Sequence, residues 1–476
     1  MLFNSFYFVY FFITVTSIYF ILPQRHRWFL LLLSSCYFYM AFVPIYILIL
    51  GFTIVVDYFA GIFIEKASGK KRRLYLICSL IANIGVLCVF KYYNFINENF
   101  SFLLHGFGLK NPLPYLSILL PIGLSFHTFQ AMSYTIEVYR GNQKTERHFG
   151  IYALYVMFYP QLVAGPIERP QNLLHQFREK HPLDSDRIFE GLKIMIWGFF
   201  KKLVIADRLG IYVNIAYENV PQHDGMTLLL ATFFFSFQIY CDFSGYSDIA
   251  IGAAKVMGFD LMTNFRRPIF AKTTGEFWKR WHISLSTWFK DYLYFPLGGN
   301  RVSHSRLYFN LMIVFLISGL WHGANWTYII WGGINGFYLV FAIITKKYRD
   351  KFNTITGINK FPWLFILYQT AITFCLITFS RIFFRAKSVE DALTVIKKIF
   401  TFKGSIFHSG TAIIIYSFLA ISFLLVAEIK KEFYSGTFTL SHHKNLFVRT
   451  AFYSLLVIII LVFGVFDGGQ FIYFQF

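Results

Sequence analysis

Residues 308–345 read YFNLMIVFLISGLWHGANWTYIIWGGINGFYLVFAIIT. Two strongly apolar runs, near 308–322 and 326–345, meet at His322. Such runs predict membrane helices, because a bilayer crossing takes roughly 20 apolar residues. The first run is short for a full crossing, which indicates a tilted helix or one buried in protein. An ionisable ring at membrane depth is costly, so His322 is the first candidate for chemistry.

Similar apolar runs recur along the whole chain. The 476 residues are 56% hydrophobic and only 14% charged, whereas about a quarter of the residues in a soluble domain are charged. The sequence therefore predicts an all-α polytopic integral membrane protein with about 11–12 transmembrane helices and additional re-entrant or interfacial helices. The predicted spans lie near 5–22, 28–42, 44–64, 74–91, 115–136, 191–216, 227–252, 308–322, 326–345, 361–384, 411–428 and 448–466.

The formal net charge of +20 could indicate a nucleic acid partner. The basic residues, however, cluster in short loops such as Lys66 to Arg73 and Lys346 to Lys351, as the positive-inside rule expects for cytosolic loops. We therefore predict membrane lipid and no nucleic acid as a partner, and a basic cytosolic face that would attract an anionic cosubstrate. The same rule puts the N-terminus on the outer side of the membrane. The side of the C-terminus stays open.

Two long segments fit neither a crossing helix nor a simple loop. Ile151 to Pro170 begins apolar but ends in a stretch with one glycine and two prolines, and Phe259 to Arg306 is rich in polar and aromatic residues. Irregular backbone at membrane depth persists only where it is buried in protein or lines a wet cavity. We predict that both segments are re-entrant or lie at the membrane edge and build a site. The five cysteines lack zinc or redox spacing, and no metal site is predicted.

His322 is the first candidate catalytic residue. Burial disfavours a charged imidazole, so the neutral ring could accept a proton as a general base. Gly319 and Gly323 on either side would let a substrate approach the backbone closely. The alternative is a histidine that is hydrogen-bonded and packed within the bundle.

His282 is the second candidate, within a basic and aromatic segment. If the segment is one helix, Trp278, His282 and Ser286 lie on one face at four-residue spacing. Lys279 and Arg280 could bind phosphate groups. An interfacial amphipathic helix at headgroup level would explain the same residues without a ligand.

Two carboxylates, Asp242 and Asp248, lie within or at the end of an apolar span. Intramembrane carboxylates usually pair with a cation or line a polar path, so they could position a substrate. The alternative, favoured for Asp248, is a structural ion pair with Arg266, Arg267 or Lys279.

Several segments together are similar to the membrane-bound O-acyltransferase family, in particular to its bacterial branch that O-acetylates alginate and peptidoglycan. The likeness runs along the whole chain, and the combination of segments is specific although each alone is weak. The segments are Ser125 to Gln130, Phe158 to Ile167, Asp242 to Ala250, Phe277 to Ser286, Tyr292 to Asn300, Leu320 to Gly323 and Gln470 to Phe476.

The resemblance implies one domain over 1–476, with a catalytic core near 115–345 and a funnel through the membrane. It implies that His322 is the central catalytic histidine and that His282 is a second catalytic position nearer the cytosol. Acetyl-CoA would be the acyl donor, with no bound cofactor. An extracytoplasmic acetyltransferase-like or esterase-like partner would receive the acetyl group and esterify a polysaccharide.

Several residues are expected to bind the donor. Phosphate contacts are expected from Lys272, Lys279, Arg280, Lys290 and Arg301 on the basic side. Asn325 or a backbone amide could stabilise an oxyanion. The remaining predicted donor-binding residues are Trp278, Asp242, Asp248 and Ser286.

The sequence leaves alternatives for the acceptor, the donor and the class of protein. Peptidoglycan is the first acceptor considered and an alginate-like exopolysaccharide the second. D-alanyl transfer to teichoic acid uses the same fold with a carrier-protein donor. An ion-coupled transporter or flippase would also suit buried Asp242, Asp248 and His322. Direct transfer and transient acylation of a protein group both stay open.

Overall fold

The computed structural model describes residues 1–117, 120–163, 165–401, 403–407, 411–434, 445–466 and 471–472. Within these ranges every regular element is a helix and no strand occurs, which confirms the all-α prediction. The chain divides into two compact units. Unit 1 comprises Met1–Met195 and Tyr246–Met262, and unit 2 comprises Ile196–Gly245 and Thr263–Ile472. Of the motif at 470–476, only Phe471 and Ile472 belong to the described residues.

The helices of unit 1 begin and end at local signals. The Ser5 hydroxyl accepts a hydrogen bond from the Phe8 N–H at 3.2 Å and begins the first helix. The span predicted near 115–136 starts too early, because prolines disfavour helix in the residues before them and the helix begins only at Leu124. The helices are α1 (Phe6–Ile21), α2 (Gln24–Met40), α3 (Ile47–Lys66), α4 (Gly69–Leu87), α5 (Tyr93–Gly106), α6 (Leu124–Arg140), α7 (Phe149–Met157), α8 (Tyr159–Leu162), α9 (Pro170–Leu173) and most of α10 (Ser185–Phe199).

Unit 2 contains longer helices joined by short irregular segments. A π-helical stretch, Phe200–Ala206, connects α10 to the next helix, and α12 passes from unit 2 into the residues of unit 1. The remaining helices are α11 (Asp207–Glu218), α12 (Gly225–Met257), α13 (Thr274–Arg280), α14 (Ile283–Phe289), α15 (His304–His322), α16 (Trp326–Ile344), α17 (Lys346–Thr356), α18 (Pro362–Arg385), α19 (Val389–Thr401), α20 (Thr411–Phe433) and α21 (Leu446–Phe463).

Among the described residues, six helices have the length and apolar composition needed to cross a membrane. Two further apolar helices, Phe6–Ile21 and Phe447–Phe463, are shorter. The sequence predicted about 11–12 crossings. Six of them have helices of suitable length and composition, and the others stay a prediction. The six are Pro44–Lys66, Gly69–Gly106, Gly225–Met257, Trp326–Ile344, Pro362–Arg385 and Ala412–Phe433.

Both segments that were predicted to be irregular are irregular. Between α8 and α9, residues 163 and 165–169 form no helix. From Phe259 to Ser303, the two α-helices, α13 and α14, are only seven residues long each. The segment from Phe259 therefore offers loops and helix ends, rather than a continuous helix, to a site.

The α15–α16 hairpin places His322, because His322 is the last residue of α15 and α16 starts at Trp326. The two helices pack together closely at Gly319. A Cβ atom on Gly319 would lie 2.2 Å from the carbonyl oxygen of Tyr328 and 3.3 Å from Cα of Gly332. Only glycine permits this backbone approach, which fixes the position of the last turn of α15.

A buried ion pair organises the neighbouring part of unit 2. The side chain of Lys202 is 1% exposed, and its Nζ lies 2.6 Å from Oδ1 of Asp207 and 2.7 Å from Oδ1 of Asp242. Oδ2 of Asp242 accepts the backbone N–H of Ile472 at 2.8 Å. A buried charge without such partners would be strongly unfavourable. The ion pair therefore ties α12 both to the start of α11 and to Ile472.

Replacing Gly319 by alanine should destabilise the protein by about 1–3 kcal/mol, because the added methyl group meets rigid backbone. Gly333→Ala in α16 is the matched control, since its Cβ would meet only a Leu316 methyl group at 3.6 Å. Thermal unfolding of both variants in detergent measures the difference. Equal melting temperatures for the two variants would contradict the close helix contact.

Replacing Lys202 by methionine should cost about 3–5 kcal/mol, because two buried carboxylates lose their cation. The exposed pair between Lys255 and Glu190, whose side chains are 29% and 60% exposed, provides the control. Lys255→Met should cost roughly 0–1 kcal/mol. Thermal or denaturant unfolding compares the two variants, and a Lys202→Met protein as stable as Lys255→Met would disprove the structural role of the pair.

Candidate functional site

The ring of His322 lies within an aromatic enclosure. The residue is 3% exposed, and its ring centroid lies 5.0 Å from Trp321, 5.1 Å from Trp331 and 5.4 Å from Phe384. Trp331 belongs to α16 and Phe384 to α18. Three helices of unit 2 therefore surround one imidazole with apolar rings, and bulk water has little access to it.

His282 is also buried, at 1% exposure, but it does not lie within a helix. Its backbone is left-handed, with φ of 43°, between the end of α13 at Arg280 and the start of α14 at Ile283. The expectation that Trp278, His282 and Ser286 share one helix face was therefore wrong. The chain turns at His282 because hydrogen bonds from a neighbouring segment hold it there.

Those hydrogen bonds come from Asn264. Nδ1 of His282 lies 3.2 Å from Oδ1 of Asn264, and the backbone N–H of Ile283 donates to the Asn264 carbonyl at 2.9 Å. Burial lowers the pKa of His282 to about 3, so the ring is neutral near pH 7. Asn264 was not identified from the sequence, because nothing in its local pattern distinguishes it from other polar loop residues.

The two histidines meet at Trp321. The Trp321 ring centroid lies 6.1 Å from that of His282 and 5.0 Å from that of His322. On its other side, His282 contacts the edge of Phe243 of α12 at 4.6 Å. We call His282, Trp321, His322, Trp331 and Phe384 the histidine site. Two histidines that are 40 residues apart in sequence thus share one aromatic neighbour.

Of the predicted phosphate-binding residues, four are exposed and one, Arg280, forms ion pairs within the protein. Arg280 forms ion pairs with Glu276 at 2.6 Å and with Glu432 of α20 at 2.8 Å, and Glu432 also pairs with Arg267 at 2.6 Å. These partners give Arg280 a structural role, and its contact with a donor stays a prediction. The exposed basic residues are Lys272, Lys279, Lys290 and Arg301.

Three other predicted site residues have definite neighbours. Trp278 contacts Trp331 at 5.7 Å and so adjoins the histidine site. The Ser286 hydroxyl donates to the Trp281 carbonyl at 3.2 Å. The side chain of Asn325 caps α16 by accepting the Thr327 N–H at 2.9 Å, and it donates to the carbonyl of Lys387 at 3.2 Å. Asn325 thus has a structural role, and its oxyanion role stays a prediction.

The two carboxylates belong to different units. Asp242, in unit 2, forms the buried pair with Lys202 rather than with an arginine. Asp248 lies in unit 1 and is half-buried on α12. The sequence suggested an ion pair between Arg267 and Asp242 or Asp248. This was wrong, because the carboxylate that pairs with Arg267 is that of Glu432. A donor-binding role for either aspartate stays a prediction.

Arg381 of α18 was also missed. Its guanidinium lies over the ring of Trp281 at 4.8 Å and donates to the carbonyl of Ser236 at 3.1 Å. It borders a cavity of about 10 Å³ together with Tyr240 and Phe277, enough for about one water molecule. An arginine near the end of an apolar span was the signal that could have drawn attention to it.

Within the part of the chain that the structure describes, no cluster of metal-ligating side chains occurs.

The sequence of this chain is similar to those of several known enzymes. The chain is 37% identical to the probable alginate O-acetylase AlgI of Pseudomonas aeruginosa over 408 residues, which cover 84% of this chain and 75% of the relative. It is 36% identical to the peptidoglycan O-acetyltransferase of Helicobacter pylori, covering 83% and 79%. The teichoic acid D-alanyltransferase of Bacillus subtilis is 26% identical, covering 61% and 73%.

The family model described as MBOAT, membrane-bound O-acyltransferase family, matches residues 141–379. This range contains both histidines, the irregular segment from Phe259 and the α15–α16 hairpin. The resemblance stated from the motifs is thereby confirmed, and the protein is a multi-pass membrane enzyme that uses an acyl donor. The chain belongs to the membrane-bound O-acyltransferase family.

Proposed function

We propose that this enzyme takes the acetyl group from acetyl-CoA on the cytosolic side and passes it outward for O-acetylation of an envelope polysaccharide, with His322 as the general base. The observation that carries this proposal is the enclosure of His322 by Trp321, Trp331 and Phe384, with His282 against the same tryptophan. A neutral imidazole with little access to water can take a proton from a hydroxyl group without promoting hydrolysis of the thioester.

The transfer step is an attack of a hydroxyl oxygen on the thioester carbonyl carbon. His322 removes the hydroxyl proton as the new C–O bond forms, and the C–S bond breaks as the CoA thiolate leaves. The thiolate then receives the proton from the imidazolium, so that the histidine returns to its neutral form. His282 lies one tryptophan away and is proposed to act on the donor side of the same reaction.

Donor binding is assigned to the exposed basic residues of the segment from Phe259 to Arg306, which also carries His282. CoA is polyanionic at its nucleotide end, and only its thin pantetheine arm and the acetyl group need to enter the protein. Lys272, Lys279, Lys290 and Arg301 are exposed and can contact phosphates while Arg280 stays with its two carboxylates. This distribution supports an anionic donor that stays outside while its acyl group reaches the imidazole.

The acetyl donor and the acceptor class are supported by the relatives. Two relatives named as O-acetylating enzymes, for alginate and for peptidoglycan, are 36–37% identical, whereas the D-alanyltransferase is 26% identical. Peptidoglycan or an alginate-like polysaccharide is therefore the proposed final acceptor. We place the enzyme in the bacterial cytoplasmic membrane with its N-terminus outside, as one domain over 1–476 with a core near 115–345. A separate extracytoplasmic protein would esterify the glycan.

Replacing His322 by alanine should reduce acetyl transfer by about 10²–10⁴-fold, because the general base is removed. His304→Ala is the matched control, since His304 is exposed at the opposite end of the same helix. Release of CoA thiol from acetyl-CoA by purified protein in nanodiscs, together with the fate of labelled acetyl, measures the effect. Unchanged thiol release by His322→Ala would refute the proposed base. Movement of an acetylated substrate without thioester cleavage would instead indicate a transporter.

Neutralising Lys279 and Lys290 with glutamine should raise the KM for acetyl-CoA by about two- to fivefold per lysine, with kcat little changed, because each exposed charge contributes modestly to binding. The rise should shrink at high salt, which screens exposed charges. Lys347→Gln on α17 is the control for net charge. An equal rise of KM in Lys347→Gln would argue against phosphate binding by Lys279 and Lys290. Activity only with a carrier-protein thioester would argue against acetyl-CoA as the donor.

A further inference from the structure

The backbone of His282 adopts a conformation that an L-residue rarely takes without support. Its φ is 43°, and Arg267, in the segment beside it, has φ of 45°. These two are the non-glycine residues with positive φ in the part of the chain that the structure describes. Such backbone strain persists only where the surroundings hold it in place, and it concentrates at functional sites.

Two groups of contacts hold this turn. The backbone N–H of Arg266 donates to the carbonyl of Arg280 at 2.9 Å, and that of Ile283 donates to the carbonyl of Asn264 at 2.9 Å, so the two hydrogen bonds lie on either side of His282. Glu432 of α20 pairs with both Arg267 and Arg280. It thus joins the segment around Arg267 and the end of α13 to α20. The segment that carries His282 is therefore fastened to the segment that carries Asn264.

The hydrogen bonds around Asn264 determine which nitrogen of His282 carries the proton. The backbone N–H and the hydroxyl of Ser284 both donate to Oδ1 of Asn264, at 3.3 and 2.9 Å. A backbone N–H can only donate, so the atom that receives it is the amide oxygen. Nδ1 of His282 lies 3.2 Å from the same oxygen. Two acceptors would repel each other at this distance, so Nδ1 must carry a hydrogen.

The surroundings of His282 keep the ring neutral. Phe243, Phe265 and Trp321 contact it, and burial lowers its pKa to about 3. In a neutral imidazole only one nitrogen carries a proton. With Nδ1 protonated, the lone pair lies on Nε2.

Several ionisable groups on the elements around His282 form ion pairs with one another, while Lys279 on α13 is exposed. Arg280 on α13 and Arg267 pair with Glu432, and Arg280 pairs also with Glu276. Asp242, which precedes Phe243 on α12, pairs with Lys202. These charged groups therefore have partners of their own, and Nδ1 of His282 faces Oδ1 of Asn264 at 3.2 Å and, at 3.4 Å, the Ser284 hydroxyl. The shorter contact is the one with the amide of Asn264.

We infer that Asn264 is a positioning residue that holds His282 in the Nδ1–H tautomer, so that Nε2 carries the lone pair that accepts a proton or a hydrogen bond in acyl transfer. This inference rests on the proposed function in that His282 takes part in the reaction. The tautomer itself can be measured whether or not the enzyme is active. An amide suits this task because it accepts the Nδ1–H without adding a charge that would favour the imidazolium.

The first test is the ¹⁵N NMR spectrum of histidine-labelled protein in nanodiscs. The signal of His282 is assigned by its loss in His282→Gln. The wild type should show a protonated Nδ1 and an unprotonated Nε2, and Asn264→Leu should shift His282 toward a mixture of tautomers. A wild-type signal from the Nε2–H tautomer, or the same tautomer in Asn264→Leu, would overturn the inference.

The second test compares kinetics with acetyl-CoA. Asn264→Leu should lower kcat roughly 10–100-fold with little change in KM, as is typical when the partner that orients a functional histidine is removed. Ser284→Ala removes the longer contact of the hydroxyl with Nδ1, at 3.4 Å, but keeps the Asn264 contact, so it should lower kcat less than Asn264→Leu does, by about threefold or less. Asn264→Asp keeps the acceptor and the size of the side chain, so it should keep much of the activity. Its carboxylate would favour the imidazolium, and the acid limb of the kcat–pH profile should move to higher pH.

The outcomes distinguish the role of His282 in the reaction from the role of Asn264 in positioning it. If His282→Gln is inactive while Asn264→Leu retains wild-type kcat, Asn264 is not a positioning residue but the role of His282 stands. If His282→Gln keeps full activity, the proposed role of His282 falls, and with it the kinetic part of the inference. If Asn264→Leu does not fold, Asn264→Asp decides, because an unshifted pH profile in that variant would overturn the inference.

Discussion

Charged groups that are fully or partly withdrawn from water pair with one another within the protein, and these ion pairs organise the part of unit 2 that holds the histidine site. Lys202 is buried and pairs with two buried aspartates, whereas Glu432 pairs with Arg267 and Arg280 in a cluster that is only partly buried. Each pair connects a membrane helix to a segment that is not a regular crossing helix. Leaving a buried charge such as Lys202 without a partner would be strongly destabilising, so its ion pair restrains the segments that it joins. In unit 1, Asp57 follows the same rule through the side chains of Ser79 and Asn83.

In the histidine site, the positions of both histidines are fixed by backbone contacts, and their rings lie in an apolar environment. His322 is placed by the close helix contact at Gly319 and is enclosed by aromatic rings. His282 is placed by a strained turn that Asn264 supports. Apolar walls exclude water, which strengthens the electrostatic interactions inside and limits competing hydrolysis. In the proposed function, the exposed lysines attract the charged donor at the protein surface.

The fold was predictable to a large extent because a bilayer crossing needs a long apolar run, and such a run is visible in a local window of sequence. The apolar runs near 227–252 and 361–384 correspond to α12 and α18. The helix predicted near 115–136 begins late, because the prolines and glycine before Leu124 oppose helix where hydrophobicity alone favours it. Local chemistry also explained the irregular stretch from Phe259. It did not reveal that His282 lies at a left-handed turn between two short helices, since that turn depends on hydrogen bonds to a distant segment.

The amino-acid sequence by itself determined that this chain is an all-helical membrane protein, that it belongs to its family, and that His322 and His282 are the residues to consider first. Each of these conclusions follows from runs and motifs that are contiguous in the chain. Only the tertiary structure decided that Trp321 contacts both histidines, that Asn264 faces His282, and that Glu432 rather than Asp248 is the carboxylate paired with Arg267. The physical reason is that a contact between residues far apart in sequence depends on how helices pack, and no local pattern of hydrophobicity or charge specifies which of several acidic side chains will reach a given arginine.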